Sequence, residues 1–306
     1  MDNHVYKPYP LVICPYCSSN CIESGGSKKY SLHDHFVKYF QCADIICTQC
    51  GKSLDWWDVV YKNILSANEP STMAILGAES VAIKITMTPK EYKELSLVEY
   101  GIPEEANILD ISYTHYAGDF FAVETDWYRP KWFPRPHVLK LYPIPNEEGT
   151  PEEKPFDVGV FVTWILGKAD EVAWQNLIHA FRYYLNRNYE FAIIPANTAV
   201  ESTLSRLIQN FLERFISKKK VKDYFGNNEA KYSHLLNILL PLSTKLKGIT
   251  LLCDNIYIEL DELRKFRNKM GHNGNLENPI DENKITRLLC AALFGFHYLK
   301  FIEPNL

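Results

Sequence analysis

No run of about 20 consecutive apolar residues occurs in this 306-residue chain, so no segment reads as membrane-spanning and no membrane contact is expected. The opening residues, Met1-Asp-Asn-His-Val-Tyr-Lys7, lack the apolar segment of a signal peptide, and a cytoplasmic location is expected. Excess positive charge is also missing. Thirty-three Lys and Arg face 37 Asp and Glu, a net charge of −4, so any contact with a polyanion has to come from a local patch. Internal repeats and long low-complexity tracts are not evident. Cysteine, by contrast, is present and unevenly placed: of eight, six fall in the first fifty residues. Without a secretion signal, that crowding points to metal binding rather than to disulfides.

Four of those cysteines form two matched pairs, Cys14-Pro-Tyr-Cys17 and Cys47-Thr-Gln-Cys50-Gly51. Two thiolates with two residues between them can reach one ion as the backbone turns around it, and a second pair completes a tetrahedron of four sulfurs. The arrangement resembles a zinc ribbon, with a structural zinc held by Cys14, Cys17, Cys47 and Cys50. Cys21, Cys42, His33 and His35 are candidate substitute ligands, with packing or a surface position as the reading preferred for each. The intervening stretches Lys29–Leu32 and Phe36–Phe40 carry enough aromatic and β-branched residues for a short hairpin. Cys253 and Cys290 lie on apolar helical patterns, where a free thiol behaves as a small hydrophobe.

From Val81-Ala-Ile83-Lys-Ile85-Thr-Met87 onward the apolar period is two. It recurs at Ile108–Tyr113, Phe120–Thr125, His137–Tyr142 and Val158–Trp164, with turn residues between. A mostly antiparallel sheet or small sandwich is expected. One connection, Tyr128–His137, interleaves cations with aromatic rings and is a candidate surface for stacked bases and phosphates. After Asp170 the period becomes helical: Trp174, Leu177, Phe181 and Tyr184; then Asn197, Glu201, Leu204, Ile208, Phe211 and Phe215. Leu235, Leu239, Leu242 and Leu246 follow, and last Ile285, Leu288, Ala292, Phe296 and Leu299. The fold class is therefore α+β, read as an N-terminal zinc ribbon (1–55), a central antiparallel β-rich domain (56–167) and a C-terminal helical bundle (168–306). The basic run Lys218–Lys222 sits in one helix connection, where it reads as a solvated loop, with contact to RNA phosphate as the alternative.

The stretch 262–274 stands apart. Helical steps of four and three run through Cys253, Ile256, Leu260, Leu263 and Arg267, placing a guanidinium on a stripe of core positions. Such a group has to be paired or to open onto a cleft. Glu201 echoes it as a charge in an apolar register, and either pairs with Arg267 or reaches water at the edge of its own stripe. Gly271 suits the left-handed residue that ends a helix, which would put His272 just beyond the end.

Arg267-Asn268-x3-His272, at the end of a late helix with one more amphipathic helix to follow, resembles the signature of the HEPN superfamily over roughly residues 188–303. The resemblance implies a metal-independent endoribonuclease, in which two protomers pair their motifs in a homodimer and cut RNA, often in toxin or antiviral defence settings. It implies His272 in proton transfer, Arg267 on the phosphate, Asn268 orienting substrate or histidine, and Glu201 orienting Arg267. Zinc would then be structural, with no cofactor in the cut. The β-rich domain would take a trigger ligand or protein. No tyrosine stands two residues after His272, so the silencing of HEPN toxins by a nucleotidyltransferase partner is not expected. The alternative is a non-catalytic dimerising scaffold or a nucleic-acid- or protein-binding adaptor.

Overall fold

The computed structural model describes residues 5–6, 12–19, 21, 32–66, 69–88, 92–115, 121–125, 137–145, 155–166, 172–226, 231–273, 276 and 279–306. They form a mixed structure of helix and sheet in two compact units, Met1–Pro10 with Ala78–Ala169, and Leu11–Gly77 with Asp170–Leu306.

The first unit is built on strands. β1 (Val5–Tyr6), β2 (Glu79–Met87), β7 (Phe156–Leu166) and β4 (Ala106–His115) form one sheet in the order β1-β2-β7-β4. A second sheet runs β3 (Lys93–Ser96), β6 (Val138–Pro145), β5 (Phe121–Thr125). Every pairing is antiparallel. Alternation decides the faces: Val81, Ile83, Ile85 and Met87 point inward from β2, and Val158, Val160 and Val162 from β7. They share one core with Leu95, Leu139 and Leu141 of the other sheet. His137 is buried there, with Nε2 3.0 Å from the Ala106 carbonyl oxygen. The rest of the cation–aromatic connection, residues 128–136, lies outside the described residues.

The second unit is helical and takes in the cysteine pairs. Its centre is α10 (Glu282–Ile302), long and apolar enough by length and composition to cross a membrane; 83% of its most apolar stretch is buried. Around it lie α4 (Val172–Leu185), α5 (Tyr189–Leu212) and α9 (Asp254–Asn273). The stripes read from α4 and α10 are buried. Gly295 of α10 allows a close approach, since a Cβ there would lie 3.0 Å from Leu260 Cδ1 of α9. Pro195 lies inside α5, past its start.

Two helices from the N-terminal third also pack on α10: α1 (Leu32–Phe40) and α2 (Trp56–Leu65), followed by α3 (Glu69–Ala74). The hairpin expected around 29–40 is therefore not formed at its second half, which is helix. Helical spacing puts Phe36 and Phe40 on one face, whereas a strand would have placed Lys38 between them on the buried side. Phe36 meets Phe294 edge-on at 4.8 Å between ring centroids, and Phe40 meets Tyr298 at 5.3 Å. Asp55 caps α2 by accepting from the Trp57 and Asp58 N–H groups.

Two further expectations are corrected. The basic run 218–222 is helical, in α6 (Lys218–Gly226). After it, α7 (Tyr232–His234) passes through a π turn (Leu235–Leu239) into α8 (Leu240–Leu246). The wider turn, just before Pro241, shifts the register. Leu235, Leu236 and Leu240 face the core, while Leu242 and Leu246 are exposed.

Candidate functional site

The cysteine cluster follows from two knuckles that are the same structure twice. In the first, the Cys21 N–H donates to the Val12 carbonyl (2.8 Å), Cys14 N–H to Ser19 (2.8 Å) and Ser18 N–H to Cys14 (3.0 Å). In the second, Leu54 donates to Ile45 (2.7 Å), Cys47 to Lys52 (2.9 Å) and Gly51 to Cys47 (2.9 Å). Positions 12–19 and 21 repeat as 45–52 and 54, a likeness hidden in the sequence because few side chains match. Ser18 and Gly51 hold the same left-handed position, φ +55° and +69°. Cys21 corresponds to Leu54, and both are buried.

The four sulfurs of Cys14, Cys17, Cys47 and Cys50 lie within 4.8 Å of one another, with Cys14 to Cys50 at 3.9 Å and Cys17 to Cys47 at 3.8 Å. Those separations are far too long for disulfides. They match the edge of about 3.8 Å expected of a tetrahedron with metal–sulfur bonds of about 2.3 Å. The four cysteines could bind a metal ion. A backbone hydrogen bond at Ser19 leads the effects that lower the Cys17 thiol to about 7. For Cys50 a backbone hydrogen bond at Lys52 pulls down, but burial and the neighbouring thiols win and raise it to about 11.

The substitute ligands are otherwise occupied. Burial, then the charges of Cys47 and Cys14, push Cys21 up to about 12, and its thiol donates to the Val12 carbonyl at 3.1 Å. His33 Nδ1 is 3.0 Å from Nδ1 of His297, His35 lies against Trp56, and Cys42 is exposed. Asn63 of α2 was not signalled by the sequence: its amide grips the main chain of Ile13, tying the first knuckle to the helix.

Arg267 lies on α9 beyond Ile256, Leu260 and Leu263, all buried; Met270, also buried, carries the stripe onward. Cys253 precedes the helix and is exposed. The arginine stem thus follows the stripe while the guanidinium emerges, its side chain 44% exposed. It reaches Glu201 of α5, Nη2 to Oε2 3.7 Å, and donates from Nη1 to Asn268 Oδ1 at 3.2 Å. Five N–H donors and one such hydrogen bond leave a cation poised to accept a further anion. Glu201 is itself held by Asn197, whose Nδ2 donates to Oε2 at 3.0 Å. Asn197 is fully buried and its Oδ1 has no hydrogen-bond partner among the described residues. Burial, then the Glu201 charge, pushes the phenol of buried Tyr232 well up, and its hydroxyl too has no partner there. The sequence shows Asn197 only as a member of a helical stripe, and nothing in it singles out Tyr232.

Gly271 does not end α9. The helix runs through it to Asn273, and its φ is not positive. His272 is therefore in the helix, roughly 7.5 Å further along the axis than Arg267. The His272 side chain lies outside the described part of the chain. Comparison with protein-family models, curated proteins and solved structures finds no match. The functional reading rests on the chain itself.

Proposed function

We propose that this protein is an endoribonuclease of HEPN type, with the helical unit as its catalytic part and the four cysteines as a structural zinc site. The observation that carries the reading is the Arg267 guanidinium, emerging from a core stripe and steadied by Glu201 and Asn268 with donors left over. Cleavage by the substrate's own 2′-hydroxyl gathers negative charge on phosphate oxygens, which a forked guanidinium meets with paired hydrogen bonds. Histidine titrates near neutral pH, so His272 suits the proton transfer. Asn268 orients the substrate or the histidine, and Glu201 orients Arg267 through an ion pair too exposed to lock it.

Cys14, Cys17, Cys47 and Cys50 would give a zinc ion four thiolates and no open position for water, so the metal would contribute to the fold rather than to the cut. A homodimer that brings two motifs together, and a toxin or antiviral defence role with a trigger at the strand unit, complete the proposal. The end groups of cleaved RNA test it. The expected products carry a 2′,3′-cyclic phosphate or 3′-phosphate on one fragment and a 5′-hydroxyl on the other. A 5′-phosphate would mean a different reaction.

A further inference from the structure

Where α5 ends and α6 begins, four lysines fall within five residues. Lys218, Lys219, Lys220 and Lys222 are all exposed, and among the described residues no carboxylate pairs with any of them. At 100° per residue they fan over about 200° of the helix circumference. Val221, the buried residue of α6, faces inward. Just before them Phe215 is 68% exposed, and beside it Arg214 is anchored, donating from Nη1 to the Leu306 carbonyl at 2.8 Å. In a chain of net charge −4, this elbow is a local cationic surface with an aromatic ring at its edge.

We propose that this elbow is a docking surface for the phosphate backbone of single-stranded RNA, with Phe215 stacking on a base. Taking RNA as the polyanion rests on the endoribonuclease reading. Fanned cations beside an exposed ring supply the two elements of sequence-tolerant strand binding, charge for phosphates and a face for a base. An anionic membrane fits less well, because an interfacial helix needs a continuous free apolar face, whereas α6 buries Val221 and leaves Tyr224 and Phe225 only partly exposed. Leu212, the last residue of α5, is roughly 16 Å along the helix from Glu201, so the elbow grips strand well away from the cut.

The test is fluorescence anisotropy with a labelled single-stranded RNA and the full chain carrying His272→Ala, across a series of salt concentrations. Each neutralised phosphate contributes about 0.7 to the slope of log K against log [salt] on single strands. Replacing all four lysines by glutamine should lower that slope by about 3, and Phe215→Ala should weaken binding about five- to a hundredfold. An unchanged slope in the quadruple variant overturns the proposal. So does lysine-dependent binding to phosphatidylserine vesicles without binding to RNA. Cleavage by the unmutated chain is scored separately: lysine-dependent RNA binding without cleavage leaves the elbow standing and removes the nuclease reading.

Discussion

Asn63 holds Ile13 at both ends of its peptide units, accepting from the Ile13 N–H at 2.9 Å and donating to its carbonyl at 3.1 Å. The same amide donates to the Val59 carbonyl at 2.8 Å. One side chain thereby fixes the first knuckle to α2, and α2 is packed on α10. Asn63→Ala removes both hydrogen bonds to the Ile13 main chain, at about 1–3 kcal/mol for each group left unpaired where water is excluded. A loss of about 2–4 kcal/mol is expected in urea denaturation, as a lower midpoint at unchanged slope.

The repeated knuckles supply a pair of substitutions with opposite signs. Ser18 holds a left-handed conformation that costs a non-glycine residue roughly 1 kcal/mol, and Gly51 holds its counterpart without that cost. Nothing lies within 4 Å of a Cβ built on Gly51, so only backbone strain is at issue. Ser18→Gly should stabilise by about 0.5 kcal/mol and Gly51→Ser should destabilise by about 1 kcal/mol. Thermal unfolding of both variants checks the signs.

The four-cysteine cluster closes a loop that contains α1, and α1 packs on α10 through Phe36 and Phe40. Losing the metal should therefore loosen the helical unit as well as the knuckles. Structural zinc is worth on the order of 10 kcal/mol in small modules. Chelation or Cys47→Ser is expected to lower the melting of the helical far-UV signal by more than about 10 °C. A melting temperature unaffected by either would separate the cysteines from the helices.

In the strand unit, hydrogen bonds from Lys84 and then Thr86 hold the Asp157 carboxyl below its usual range. A carboxylate whose folded value is depressed stabilises above its unfolded value, near pH 4, and loses that contribution as pH falls through the folded value. Both partners of the ion pair are partly exposed, which limits the effect to about 0.5–1 kcal/mol. The stability gap between the parent and Asp157→Asn should be full at pH 7 and close by about pH 2, followed by urea titration at each pH.

Short-range pattern was legible and long-range packing was not. The CxxC spacing announced four sulfurs that do cluster, and alternation located β2, β4, β6 and β7. The stretch 29–40 reads as a hairpin because α10, the partner that fixes the helical period of 32–40, lies some 250 residues away in sequence. Gly271 looked like a helix end, yet its i−4 hydrogen bonding continues at a propensity cost of only about 1 kcal/mol. In 235–246 a π turn moved the leucines off their expected face, and no local signal but Pro241 marks it. At the candidate site the approach of Glu201 to Arg267 could be posed from two stripes, whereas Asn197 and Asn63 could not. Their importance lies in which main-chain or carboxylate group they meet.

The most direct measurement is the single-turnover cleavage of transfer RNA in EDTA by the parent and by His272→Ala. A positioned proton donor or acceptor is worth about 10²–10⁴-fold. The account predicts cleavage by the parent and a rate at least about a hundredfold lower for the variant, with its helical signal intact. Equal rates for the two, or no cleavage by the purified parent protein, would contradict it.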